Sequence, residues 1–294
     1  MSAYDSTLED GRYSQAVSEI VGPSSLRSDG PAPTVEPVTA PPTMPDENRL
    51  GGVGWLHDSR GRLETREWRV LRRAIYRELA AASVDRLRLI TRRRPTHSPS
   101  VPSPPDSAAV RAAEAHCLAQ HPSVEGHARR TWAFGRALAA ADGVDNLDEE
   151  LFYIGCLLHD VTLEQPTPGE DFTLESGAIA AGCLTPHHTD AQGRLLQDMI
   201  SAHCTPGASV GLDGEHAVYV QAGATADLIG RRLADLSAPA VAAIHEQHPR
   251  GDLAADFVAF IAAEADAVPR GRFALLRRHG FTVAIRASPS RRVP

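Results

Sequence analysis

A chain of 294 residues, 42% hydrophobic and 23% charged, is long enough for one large packed domain with an appended segment. Its formal charge of −7 and isoelectric point near 6.0 lack the basic footprint that general nucleic-acid binding requires. No run approaches the roughly 20 apolar residues of a membrane span, and residues 1–20 are too acidic and polar for a secretory leader. A cytoplasmic protein touching neither membrane nor nucleic acid is expected.

Residues 1–50, ending in PAPTVEPVTAPPTMPDE and its neighbours, are rich in Pro, Ser, Thr and acidic side chains. Such a segment buries too little apolar surface to offset its chain entropy, so it is expected to be a disordered N-terminal extension. Residues 51–106 read as a leading helix followed by a linker. Trp68, Leu71, Ile75, Leu79, Ala82 and Leu89 form a helical stripe over 66–90, and RRRPTHSPSVPSPPDS is a proline-rich connection. From residue 107 to 294 the pattern is helical throughout, with helices expected at 107–120, 124–141, 148–160, 173–184, 191–203, 215–233, 238–248, 253–267 and 271–279. Ser107 and Asp148 suit N-caps, and Gly143 and Gly280 suit left-handed helix ends. The fold class is all-α.

All thirty basic residues are arginine, which a bacterial genome rich in G and C accounts for. Cys117, Cys156, Cys183 and Cys204 show no C-x-x-C spacing and are expected to be reduced thiols.

Five polar residues fall on apolar helical stripes. His127 shares a face with Val124, Thr131, Phe134 and Leu138. His159, with Asp160 beside it, extends the stripe Leu151, Gly155, Leu158. His203 ends the stripe Leu196, Met199, Ile200, and Asp227 lies on a face with Val220, Gly223, Ala224 and Arg231. Each alone has a plain reading, as a hydrogen-bonded core histidine or, for Asp227, a partner of Arg231. Together they bury two carboxylates and three imidazoles, and an unpaired buried carboxylate costs several kcal/mol. A divalent cation compensates such a set, with nitrogen and oxygen ligands at about 2.0–2.2 Å. His57-Asp58 in GWLHDSRGR has no such stripe and reads as a turn without a role. The small residues Gly223, Ala224 and Ala226 leave room for another helix beside Asp227.

The order VEGHARRTWAFG, ELFYIGCLLHDVTL, FTLESGA, ISAHCTPG, VQAGATADLIG resembles the HD-domain superfamily of metal-dependent hydrolases, in its cyanamide hydratase-like branch. The match covers roughly 108–232, and an Arg-rich leading helix and an HPRGD-type tail extend it over about 55–290. The resemblance implies an HD-domain helical bundle over 107–294. It also implies a divalent metal, zinc first and iron or manganese next, held by His127, His159, Asp160 and Asp227. Where many phosphohydrolase members carry Ile-Gly-Lys after His-Asp, Val161-Thr162-Leu163 stands here, and with no lysine a phosphate-binding lysine is excluded.

The reaction implied is attack of metal-activated water on a small nitrile- or amide-type molecule. Asp160 would ligate and steer the water proton, His203 would orient substrate or move a proton, and Arg130 would support a carboxylate ligand. Glu164 is a weaker acid/base candidate. The rival readings are a nucleotide or phosphomonoester phosphohydrolase, with Arg130 and Arg231 as phosphate partners, and a regulatory module using metal only for structure. A dinuclear oxygenase would need further histidines, and His187 and His188 in TPHHTD read as a loop. HPRGD at 248–252 reads as a helix-ending turn. The partner expected is a small molecule, and nothing in the sequence excludes a homo-oligomer.

Overall fold

The computed structural model describes residues 45–98 and 101–289. The order is α1 (Val53–Ser59), α2 (Thr65–Thr91), α3 (Ala108–Leu118), α4 (Pro122–Ala141), α5 (Glu149–Leu158) and α6 (Phe172–Gly182). Then come α7 (Asp190–His203), α8 (Val210–Ile229), α9 (Ala238–Gln247), α10 (Leu253–Ala267), α11 (Arg272–Arg278) and α12 (Phe281–Arg286). There is no strand among the described residues, so the fold is all-α, as the stripes require. None of these helices is long and apolar enough to cross a membrane.

The helix ends follow local chemistry. Ser107 accepts the Val110 N–H (3.0 Å) and Asp148 the Leu151 N–H (3.1 Å), each satisfying an orphan donor of a first turn. Gly143 and Gly280 are left-handed, at φ +77° and +92°. α8 stops at Gly230 rather than continuing to 233, because Gly230 turns left-handed (φ +76°) and an added Cβ there would collide with Pro289. Gly214 (φ +76°) breaks the helical backbone inside α8, so the continuous helix begins at 215, as the pattern suggests.

Two helices escape sequence reading. GWLHDSR is α1 and not a turn. Trp55 and Leu56 bury against the second core while His57 and Asp58 stay exposed, so two anchors without a repeating stripe suffice once tertiary contacts exist. α12 is a single short segment following the Gly280 turn.

The helices enclose two apolar cores. One gathers α3, α4, α5, α7 and α9, and the other α1, α2, α10, α11 and α12. Val124 of α4 belongs to the second and Ala128, one turn on, to the first, so His127 stands between them. The division expected at residue 107 does not separate two bodies, since Leu71 and Ile75 of α2 are buried in the second core.

The boundary at residue 50 also shifts. Residues 1–44, expected to be disordered, lie outside the described residues. Residues 45–50 are packed: Arg49 reaches Asp198 of α7 (Nη2–Oδ2 2.8 Å) and Asp213 of α8 (Nε–Oδ1 2.7 Å). Composition hides this, because one arginine satisfying two buried carboxylates outweighs a polar background.

A second polar knot lies under α6 and α11. Arg272 is fully buried, bonded to Asp171 through Nη2 (2.8 Å) and Nε (3.1 Å), to Thr173 and Thr205 hydroxyls, and to the Ser201 carbonyl. Glu264 sits beside it, 1% exposed, with Oε2 unpartnered. Burial, and then the Asp171 carboxylate, push its pKa up to about 8.

Two outcomes follow from these contacts. Arg49→Met should lower unfolding free energy by about 3 kcal/mol in urea titration, since it removes the cation that two buried carboxylates share; a loss under ~1 kcal/mol would deny the clamp. Glu264 is protonated in the folded state up to about pH 8 but ionises near 4.5 when unfolded, so its contribution is intact below 4.5 and lost as pH rises toward 8. Glu264→Gln should therefore raise Tm at pH 8.5 and change it little at pH 4.5, a contrast that calorimetry at the two pH values reads directly.

Candidate metal centre

Every residue of the α4 stripe is buried as its spacing implies, and His127 is 0% exposed. His159 and His203 reach the same region by one shared device, each standing at the C-terminal end of its helix. There the last carbonyls lack helical donors. His159 Nδ1 donates back to the Cys156 carbonyl (2.8 Å) and His203 Nδ1 to the Ile200 carbonyl (2.6 Å). A carbonyl can only accept, so both rings carry their proton on Nδ1 and present an Nε2 lone pair.

His127 is fixed in the same tautomer by a carboxylate. Its Nδ1 donates to Asp227 Oδ2 (2.7 Å). Burial alone would raise the Asp227 pKa, but the Arg130 guanidinium (Nε–Oδ1 2.9 Å), with His127 and Arg250 (3.4 Å), holds it far below the usual carboxylate range. Asp227 is thus an anion that orients an imidazole.

Asp160 is the hub on the other side of the rings. Its Oδ2 lies 3.3 Å from His159 Nε2 and 3.7 Å from His127 Nε2, and its Oδ1 lies 3.4 Å from His203 Nε2. Burial opposes its ionisation, yet His159 and then His203 keep it well below the ordinary range. Burial lowers the pKa of His127 and of His203. For His159 burial works the same way but is outweighed by Asp160, and the net shift is upward.

The donor set fits a metal ion. One ligand atom from each of His127, His159 and Asp160 lies within 4.8 Å of the others, the one such group among the described residues. His159 Nε2 and Asp160 Oδ1 are buried without a hydrogen-bond partner, which costs free energy unless something else binds them. Two neutral nitrogens and a carboxylate oxygen are the ligand types of zinc, iron and manganese sites. This buried group could hold a metal ion.

The structure brings four of the five expected residues around one point and places the fifth behind it. Asp227, expected as a ligand, lies on the Nδ1 side of His127, the opposite edge from the one facing Asp160, because α8 delivers it to Arg130. Arg130 supports a carboxylate as expected, and its Nη1 also donates to the His248 and Pro249 carbonyls (3.0 and 2.9 Å). Arg231 does not serve Asp227: it turns away to Glu78 and Asp85. HPRGD is a turn, as read, but its Arg250 is a partner of Asp227 that no local pattern revealed.

The remaining candidates lie elsewhere. Glu164 sits in the turn after α5 and lines no part of the cavity below. His188 pairs with Glu150 (3.3 Å) and His187 is exposed, which leaves neither near the centre. Cys204 lines the cavity, but burial raises its pKa well above the ordinary thiol value, so it is no thiolate.

Three residues of the centre, His127, Asp160 and His203, line a cavity of about 70 Å³, room for a few waters at roughly 10–15 Å³ each. Its walls are largely apolar, with Ile75 and Leu79 from α2, Phe257 and Ile261 from α10, and Phe273 from α11. α2 is thus a wall of the site and not a leader to it. No arginine lines it.

Metal titration separates the two shells. Wild type should bind one equivalent of zinc. His159→Ala should abolish binding, His57→Ala should leave it unchanged, and Asp227→Asn should weaken it about 10–100-fold without abolishing it, the loss typical of an outer hydrogen-bond partner. If Asp227→Asn loses zinc as completely as His159→Ala, Asp227 is a ligand after all. No protein-family model matches the chain and no curated protein matches it, so the reading of the centre stands on its own atoms.

Proposed function

We propose that the protein is a metal-dependent hydrolase or hydratase of the HD-domain type, acting on a small neutral molecule with a nitrile- or amide-type carbon. The observation that carries this reading is the convergence of His127, His159 and Asp160 on one point, with His127 and Asp160 lining a small, largely apolar cavity without arginine. His127, His159 and Asp160 would hold the divalent ion, with zinc the first choice and iron or manganese next. Such an ion, when bound, polarises a carbon–heteroatom bond and acidifies water toward neutral pH.

The chain's own groups divide the remaining work. Asp160 Oδ1, unpartnered and facing His203 Nε2, is placed to accept a water proton. His203, neutral with its lone pair inward, is a proton acceptor and orienting group. Asp227 and Arg130 lock the tautomer of His127. Phe257 and Phe273 give the cavity apolar walls, and a wall of low polarity strengthens the electrostatic contacts beside it.

The phosphohydrolase reading is weaker. A phosphate needs cationic partners, and Arg130 and Arg231, its two candidates, are both committed to carboxylates. A cavity of about 70 Å³ is also small for a nucleotide. The purely structural reading predicts a closed shell, whereas here the cavity reaches Asp160 and His203.

A panel of cyanamide, small nitriles, small amides, phosphomonoesters and nucleotides, assayed with zinc, manganese and iron(II), tests the proposal. Turnover should be confined to the small nitrogen compounds. His203→Ala should retain zinc while turnover falls on the order of 10²-fold, as for loss of an acid/base group. Turnover of phosphomonoesters alone would reverse the choice.

A further inference from the structure

The polar side chains lining the cavity share one property: none keeps a hydrogen for a ligand. Gln221 Nε2 donates to the His203 carbonyl (2.8 Å) and the Thr205 carbonyl (2.7 Å). Both partners can only accept, so the amide cannot be reversed, and Oε1 is the atom left over. No donor among the described residues serves it. Thr225, one turn along α8, donates its hydroxyl hydrogen to the Gln221 carbonyl (2.8 Å) and keeps only lone pairs. The Cys204 thiol points to the Ser201 carbonyl (3.9 Å). Glu78 accepts from Arg231 Nε (3.1 Å). His127 and His203 have spent their Nδ1 hydrogens on Asp227 and Ile200, and Asp160 turns its two carboxylate oxygens to the Nε2 atoms of the three histidines.

A cavity that only accepts discriminates by hydrogen bonding. An apolar ligand filling it would strand Gln221 Oε1 out of water, and an unmet buried acceptor is costly. An anion would meet further acceptors and find no donor. A ligand with N–H groups satisfies the wall while its apolar part lies on Ile75, Leu79 and Phe257.

We infer that the cavity selects molecules carrying an N–H donor, of the amide, amidine or amine class, with Gln221 Oε1 and Thr225 Oγ1 as the acceptors that determine specificity. The inference rests on the small-molecule reading above and names the feature its substrate must carry. The donor end lies against α8, and the reacting carbon faces Asp160.

Propionamide and butan-2-one test this, because they match in size and carbonyl and differ only in NH₂ against CH₃. Their binding to the full-length chain is read by ligand-observed NMR titration, with and without added zinc. Donor selection gives propionamide the tighter binding, by about tenfold. An apolar wall acting alone gives the opposite order, since butan-2-one is the more hydrophobic. Gln221→Met should abolish the preference, and Thr225→Val should shrink it about fivefold. Because Gln221→Met also removes two bonds that hold the turn after α7, Thr225→Val, whose hydroxyl bonds only its own helix, decides if the first variant is unstable. Equal binding of the two probes, tighter binding of butan-2-one, or a preference unchanged in Thr225→Val overturns the inference. Zinc titration of the same samples keeps the two proposals apart. Zinc bound without an amide preference overturns donor selection alone. An amide preference without zinc binding supports donor selection and overturns the metal hydrolase.

Discussion

The centre depends on a contact between two backbones. At Gly223 an added Cβ would collide with the Thr131 carbonyl oxygen, and at Gly135 it would come within 2.7 Å of the Tyr219 carbonyl oxygen. α4 and α8 therefore touch main chain to main chain, closer than side chains on both would permit. That approach is what puts Asp227 within 2.7 Å of His127 and 2.9 Å of Arg130. Without it the buried carboxylate and the buried guanidinium would lose each other as charge partners, which is costly in a low-dielectric interior. With it, the pair sets the tautomer of His127 and hence the direction of its free lone pair.

Two helix ends supply the opposite side of the centre. α5 and α7 both terminate at it, so their unsatisfied carbonyls and the negative ends of their dipoles face the same space as Asp160. Each terminal histidine takes one of those carbonyls for its Nδ1 hydrogen, a local bond needing no long-range partner. The same peptide geometry thus satisfies a helix end, fixes a ring and aims a nitrogen. The resulting field favours a cation and disfavours a phosphate, in keeping with the lack of arginine around the cavity.

Much of this was legible in the chain. Periodicity located the long helices to within a few residues, because the core face of an amphipathic helix repeats at a fixed spacing. It identified His127, His159, His203 and Asp227 as inward-pointing, and all four are buried. Capping residues were legible for the same reason: Ser107 and Asp148 act on donors three residues away. What failed were choices among partners. Arg231 was the nearest arginine to Asp227 in sequence, but the cation that reaches it comes from α4, with a second from the turn before α10. Arg49 lay in a stretch whose composition spoke against packing, and α1 had two apolar anchors where a stripe needs more.

The sequence by itself determined the all-α class, the inward set of imidazoles and carboxylates, and the room beside Asp227 for another helix to approach closely. These depend on side-chain type, on spacing along a single helix and on the small size of the residues at 223, 224 and 226, all of them local properties; which helix fills that room is not among them. Only the tertiary structure decided which edge of each imidazole faces the cavity, that Asp227 stands behind His127, and that α2 forms a wall. It also decided that the polar side chains lining the cavity have their hydrogens already engaged. Those facts depend on which atoms meet across elements tens of residues apart. A hydrogen-bonding group can serve only one direction at a time, and the partner it meets is chosen by the packing of the whole chain.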